Sequence, residues 1–313
     1  MAPLSIDILL ATYNGAAFLG AQIESLLVQE GVSFRILIRD DGSTDETPAI
    51  IERYCRLRPD CFVCLETSGN IGAVRNFAAL LARAEAPYVA LCDQDDVWMP
   101  HKLRVQLGVL REMERRHGVD TPLLVHSDLR VVDENLRQRH ASYWRYSGCD
   151  PHATNLSRLL IRNPVAGCAA LINRSLVRLA LPVHGDAVVH DHWLTLVATA
   201  AGYVGAIEEP LVAYRQHAAN IIGARPYDWR SIVRGLTSGL ANWDIGRLRR
   251  QGAAVLERCR AAMSARDRTI IEDFVSLPER NWISRRWILL RHGILMPGLL
   301  RNFALLFFAR LGR

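Results

Sequence analysis

The chain has 313 residues, half of them hydrophobic, and a formal net charge of +6. That is enough apolar material for one large domain with an appendage, whereas no uncharged apolar stretch reaches the roughly 18–20 residues needed to cross a bilayer. The charge is uneven: from Arg225 onward 17 Arg stand against 7 Asp and Glu, so residues 1–224 are net negative and the basic end suits an acidic surface.

The first hundred residues alternate strand and helix signals. Ile6–Ala11 is an apolar run that ends in Thr12-Tyr13-Asn14-Gly15, a turn opening a helix to about Gln29. Phe34–Arg39 is a second β-type run and ends in Asp40-Asp41-Gly42-Ser43-Thr44-Asp45. A helix from Glu46 to about Arg56 follows, with Pro48 in its first turn, where a missing N–H costs nothing. Cys61–Glu66 is a third strand, Val74–Ala84 a helix entered through Asn70-Ile71-Gly72, and Tyr88–Cys92 a fourth strand. This order predicts an α/β fold with a parallel, doubly wound sheet flanked by helices. Ligands bind such sheets beyond the carboxyl ends of the strands, where each of these polar clusters falls.

Later elements are a helix from Pro100 to about Arg116, a strand Leu123–Ser127, and a strand Asn163–Asn173 kinked at Gly167. His190-Asp191-His192-Trp193 opens a helix to about Ala201, and Tyr203–Tyr214 reads as two short strands around Pro210. The remainder is largely helical, which predicts a body over 1–224 and a basic helical region over 225–313. The seven cysteines are scattered, and Cys61-Phe62-Val63-Cys64 has no second CxxC or His pair, so reduced thiols are expected rather than a structural zinc. A strand begins at once, with no basic segment ahead of it, which predicts a cytoplasmic protein.

Chemistry is concentrated in a few strings. Asp93-Gln94-Asp95-Asp96 places three carboxylates in four residues; they repel unless a cation neutralises them, and hard oxygen ligands suit Mg²⁺ or Mn²⁺. The same string would serve as a solvated turn capping the next helix. Asp40 to Asp45 suits hydrogen bonding to a base or ribose, and equally a helix N-cap. Neither G-x-G-x-x-G nor G-x-x-x-x-G-K-[ST] occurs, which speaks against a nicotinamide-dependent oxidoreductase or a P-loop enzyme.

The ordered set Ala11-Thr12-Tyr13-Asn14, Asp40-Asp41-Gly42-Ser43-Thr44-Asp45, Asn70-Ile71-Gly72 with Arg75-Asn76, and Asp93-Gln94-Asp95-Asp96-Val97-Trp98 resembles the family 2 glycosyltransferases of the GT-A fold. The likeness continues through Asn163 to Cys168, His190 to Trp193 and Tyr214-Arg215-Gln216-His217, and is strongest to bacterial rhamnosyltransferase-like members that build cell-surface polysaccharide. It implies an inverting, metal-dependent transferase moving a sugar from a nucleotide-diphosphate donor to an oligosaccharide, and a lipid-linked acceptor is expected. Ala11, Thr12, Tyr13, Asn14, Asp41, Arg75 and Asp93 match donor-binding positions. Asp95 matches the metal ligand, His217 a histidine that in some relatives reaches metal or diphosphate, and Asp191 the catalytic base. Asp96, Trp98, Gly167 and His190 are expected behind the metal site or on the acceptor side. From Trp282 onward, aromatic and aliphatic residues interleaved with Arg285, Arg286, Arg291, Arg301 and Arg310 suggest an interfacial helix on an anionic leaflet. Contact with the body or a second copy would suit the same pattern, whereas nucleic acid would not, because the segment is too apolar. Other expectations left open are a UDP donor and a non-catalytic nucleotide-binding scaffold.

Overall fold

A computed structural model of the chain describes residues 6–67, 69–217, 245–296 and 298–307. The first half is the expected winding: strands β1 (Ile6–Thr12), β2 (Phe34–Asp40), β3 (Phe62–Cys64) and β4 (Tyr88–Cys92), joined by helices α1 (Ala16–Leu27), α2 (Thr47–Leu57) and α3 (Ala73–Arg83). These four strands pair in parallel in the order β3-β2-β1-β4. Alternation along β1 makes the layers: Ile6, Ile8 and Leu10 enter one core cluster and Leu9 the other, on opposite sheet faces.

The second half continues the sheet with the direction changed. It comprises β5 (Val97–Trp98), α4 (Lys102–His117), β6 (Leu123–Asp133), β7 (Gln138–His140), α5 (Tyr143–Ser147), α6 (Leu156–Leu159), β8 (Ala170–Asn173), α7 (Arg174–Ala180), α8 (His190–Ala201) and β9 (Tyr203–Gln216). β8 runs antiparallel between β4 and β6, while β6 and β9 are parallel.

Three expectations need correction. The strand expected over 163–173 is shorter, because a 3-10 turn at Gly167–Ala169 precedes β8. The two strands expected around Pro210 are one strand of 14 residues. Its register with β6 breaks at Asp128, opposite Pro210, which has no N–H to give the ladder. Finally, Cys55 on α2 and Cys64 on β3 form a disulfide, so not all the thiols are free. Spacing drew attention to Cys61 and Cys64, but the packing of α2 on β3 puts Cys55 beside Cys64.

The expected domain boundary at 224/225 lies outside the described residues. Helices α9 (Ile245–Cys259), α10 (Ala265–Val275), α11 (Trp282–His292) and α12 (Leu299–Phe307) follow. Val255, Ile271, Phe274 and Leu289 join the cluster that holds Trp193 and Leu196 of α8, so these helices share the core of the sheet layer. Among the described residues, no helix is long and apolar enough to cross a membrane.

Candidate active site

The carboxyl ends of β1, β2 and β4 open onto one crevice, and each polar string forms part of its wall. Thr12 ends β1 and donates its hydroxyl to Asp40 Oδ1 (2.9 Å). Asn14 takes the left-handed conformation (φ 48°), which a short polar side chain tolerates. Its Oδ1 accepts from the Thr44 N–H at 2.8 Å and its own N–H donates to Ser43 Oγ at 2.8 Å. The turns after β1 and β2 are thereby tied together. Tyr13 is exposed at the tip and Ala11 is partly buried beneath it.

Asp41 is buried and heavily engaged. The Ile71 N–H and Arg39 Nη1 donate to its Oδ1 (2.9 and 3.0 Å), and the Gly72 N–H to its Oδ2 (2.8 Å). A carboxylate offers about four lone-pair sites, so this arrangement leaves about one for a ligand. Asp41 therefore also orders the loop that starts α3. Arg75, on the first turn of that helix, is exposed on the crevice rim.

The acidic string divides by burial. Gln94 Oε1 accepts from the Tyr13 N–H (2.8 Å) while its Nε2 donates to the Tyr13 carbonyl (2.9 Å), a two-point clamp on the neighbouring turn. Asp95 meets His217, with Oδ2 to Nε2 at 2.9 Å. The His217 ring lies against Phe18 of α1, with centroids 4.5 Å apart. Asp96 is fully buried and its Oδ1 accepts from the Arg215 N–H at 3.0 Å. Trp98 is withdrawn into the core, with Lys102 Nζ 3.4 Å from its ring centroid, so it does not face the acceptor side.

Asp191 lies in the first turn of α8, across the crevice from these acids. The Gly167 N–H donates to its Oδ2 at 3.0 Å. Gly167 is there for space: a Cβ would come within 2.9 Å of His190 Nε2 and 3.5 Å of Asp191 Oδ2. His190 itself is buried and stacked on Phe77, with centroids 3.7 Å apart. His192 points elsewhere, its Nε2 on the Leu159 carbonyl (2.6 Å) and its Nδ1 by Gln251 (3.2 Å). The two histidines diverge and make no metal pair.

Electrostatics follow from this crowding. Burial pushes Asp93 up to about 7, helped by the charges of Asp95 and Asp191 and opposed by Cys168. Asp96 is raised well above the usual carboxylate range by burial, then by Asp95 and Asp93. Burial lifts Asp191 to about 6, against hydrogen bonds from the His192 and Gly167 N–H groups and from Asn163. Lys102, beneath the cluster, is pushed down to about 7 by burial.

These residues fit a divalent cation. Two ligands at right angles on an octahedral ion, each bonded at about 2.1 Å, lie about 3 Å apart, and Asp95 Oδ2 and His217 Nε2 are 2.9 Å apart. A second group, Asp93, Asp96 and Cys168, has ligand atoms within 4.8 Å of one another. Its thiol is a softer donor than Mg²⁺ or Mn²⁺ prefers, and burial keeps that thiol protonated. The Asp95–His217 pair is the better match in donor type.

Sequence reasoning passed over several participants. The sequence reading gives Gln94 no role, and its amide clamps a backbone 81 positions away. Arg215 was quoted only inside a string, yet its Nε donates to the Asp95 carbonyl at 2.7 Å and its guanidinium lies 4.7 Å from the Phe18 centroid. Arg39, Asn163 and Lys102 carried no signal beyond their neighbours.

The strand order, with the acid-lined crevice at the strand ends, defines a GT-A fold. The model of the family "Glycosyl transferase family 2" matches residues 7–179, more than half the chain, and the chain belongs to that family. It is 26% identical over 231 residues to the dTDP-rhamnosyl transferase RfbG of Shigella flexneri, covering 69% of this chain and 74% of RfbG. The chain spans 66% of the length of the mycobacterial relatives it matches at 26% identity. Among solved structures it is similar to Staphylococcus aureus TarS 1–349 in complex with UDP-GlcNAc, with a TM-score of 0.55 and 14% identity over 93% of this chain and 92% of that one. It is also similar to the mannosyltransferase PcManGT of Pyrobaculum calidifontis in complex with GDP-Man and Mn²⁺, with a TM-score of 0.50 and 18% identity over 97% and 87%.

Proposed function

We propose that the protein is an inverting, metal-dependent glycosyltransferase. It moves a sugar from a nucleotide-diphosphate donor to a hydroxyl of a lipid-linked oligosaccharide in cell-surface polysaccharide synthesis. The observation that carries this reading is Asp191, a carboxylate raised to about 6, held by the Gly167 N–H at 3.0 Å and near enough for its charge to raise Asp93. At neutral pH it is ionised yet more basic than an exposed carboxylate, which suits a general base.

The acceptor hydroxyl gives its proton to Asp191 as its oxygen bonds to the sugar C1. The bond from C1 to the diphosphate breaks on the opposite face, and its electron pair leaves on the nucleoside diphosphate. Mg²⁺ or Mn²⁺ at Asp95 and His217 would supply the charge that stabilises the departing diphosphate. Thr12, Tyr13, Asn14, Asp41 and Arg75 read the base and ribose, with Asp93 on the ribose. The Gly167 N–H and Asn163 hold Asp191 in aim.

The likeness to RfbG supports dTDP-rhamnose as the donor, and the fold shared with TarS supports a UDP-linked hexose or N-acetylhexosamine as the second reading. A peripheral position on the inner leaflet is supported by α11 and α12. Trp282, Ile283, Trp287, Leu290, Phe303 and Phe307 are each at least half exposed. Arg286 and Arg291 lie over Trp282 and Trp287 at 4.3 and 4.7 Å from the ring centroids. Apolar rings flanked by guanidinium groups suit an anionic membrane surface, and the basic region from 225 would then act as the membrane-facing part. A contact between copies of the chain is the competing use of that face.

A thermal-shift panel of nucleotide sugars with and without Mn²⁺ tests the proposal. A donor that stabilises the protein only with metal supports it. A shift with dinucleotides alone refutes it, and metal-dependent binding without turnover would favour a scaffold.

A further inference from the structure

Beside Asn163, which is flanked by Arg162 and Pro164, lies a cavity of about 910 Å³ that the transfer scheme has not used. It falls within the roughly 300–1,000 Å³ range of small-molecule sites. One wall is the segment from Gly148 to Pro164; the other is built from α10 and from the junction of α11 with α12.

Its lining is cationic. Arg158, Arg162 and Arg266 stand against Asp150 and Asp267, while His292 is held by Asp273 at 2.7 Å. Both acids are occupied: Asp150 by Arg158 at 3.4 Å and the His152 N–H at 3.0 Å, and Asp267 by the Ser264 hydroxyl at 2.7 Å. Arg266 has no carboxylate partner among the described residues. Arg162 donates from Nη2 to the Ser147 carbonyl at 3.2 Å and lies beside the Cys149 thiol. Planar guanidinium groups bind phosphate oxygens in pairs, and do so better than they bind neutral sugar hydroxyls.

The position of the cavity is the second observation. Arg162 and Pro164 line it, and Asn163 between them helps hold Asp191. Tyr143 feels the charges of both Arg162 and Asp191. At the far end, Leu295, Met296 and Asn302 line it where the exposed aromatic face of α11 and α12 begins. The cavity thus runs from the residues flanking Asn163 to the junction of α11 with α12.

We propose that this cavity binds a phosphate or diphosphate ester of the acceptor, with Arg162 and Arg266 as its anion-binding residues. The proposal rests on the transferase reading of Asp191. An acceptor anchored there by its charged group presents its sugar hydroxyl towards Asp191.

Cys149 provides the readout, since it lines the cavity and is the only free cysteine that is not fully buried. Maleimide labelling of Cys149 is followed in the full chain with geranyl diphosphate or with inorganic diphosphate, and peptide mapping assigns the label. Saturating geranyl diphosphate should slow labelling by about tenfold. Arg162→Gln should weaken its apparent affinity by about tenfold, as expected for one charge-assisted contact of about 1.4 kcal/mol, and Arg162→Lys should recover part of it. Retention of the metal-dependent thermal shift with a nucleoside diphosphate reports a folded variant; if Arg162→Gln is unfolded, Arg266→Gln takes its place. Protection by inorganic diphosphate as well would mean that the anion alone is read. Protection by the prenyl compound only would mean that the cavity also takes the chain. No protection by either, or equal protection in the variants, overturns the proposal. If donor binding and turnover persist in that case, the transferase reading stands without it.

Discussion

Replacing Gly167 with Ala tests how the proposed base is held. The new Cβ would sit 2.9 Å from His190 Nε2, and the His190 ring cannot swing aside because it is buried and stacked on Phe77 at 3.7 Å. Relief of the contact needs a shift of about 0.5 Å, and Asp191 is the next atom group in line at 3.5 Å. A displacement of about 1 Å costs about 100-fold in rate, so half of that costs about tenfold in kcat. The same shift loosens the Gly167 N–H bond to Asp191. Losing about 1.5 kcal/mol of a charge-assisted bond raises the carboxyl by about one pH unit. Overpacking costs about 2 kcal/mol, lowering Tm by roughly 5 °C. The assay is release of nucleoside diphosphate from the donor chosen by thermal shift, followed from pH 5 to 9 (about neutral, where the base works). Expected are a tenfold lower kcat, an acid limb moved upward, and a donor KM within about twofold of wild type. An unchanged kcat with an unshifted acid limb would refute the reasoning.

Asp191→Asn should lower kcat by about 100-fold or more while donor affinity, measured by calorimetry, stays unchanged. In the wild type, kcat should fall as pH drops through about 6, where Asp191 takes up a proton, and the Asn variant should lose that limb. Asp95→Ala should abolish the Mn²⁺ dependence of the donor-induced thermal shift. Gln94→Ala removes both hydrogen bonds to the Tyr13 backbone, and at about 1 kcal/mol each this should weaken donor binding by about 30-fold. Trp282→Ser with Trp287→Ser should reduce co-sedimentation with anionic vesicles by about tenfold and leave donor binding unchanged.

The strand-helix alternation of the first hundred residues was legible because period-2 apolar runs and polar turns are local signals. Ile6 to Leu10 and Phe34 to Arg39 form strands within a residue of the expected bounds. The second half was harder, because its pairing depends on partners far along the chain. β8 is four residues long and inserts antiparallel between β4 and β6, which no local pattern announces. The polar strings were legible in the sequence, and the structure bonds Thr12 to Asp40, Asn14 to Ser43, Asp95 to His217 and Gly167 to Asp191. What the strings could not reveal is which side chains are spent on structure. Trp98 belongs to the core, Asp41 mostly to the α3 loop, and Cys64 to Cys55. Those assignments come from three-dimensional neighbours, not from spacing.

The amide of Gln94 has a thermodynamic consequence. It joins the turn that would read the nucleotide to the loop that would hold the ion, so neither can shift without loading the other. Under the proposed scheme, any coupling through that joint is reciprocal: a nucleotide that tightens metal binding by some factor is itself bound tighter by the same factor. The empty enzyme then has little reason to retain its ion, and donor and metal would arrive and depart as a unit with each turnover.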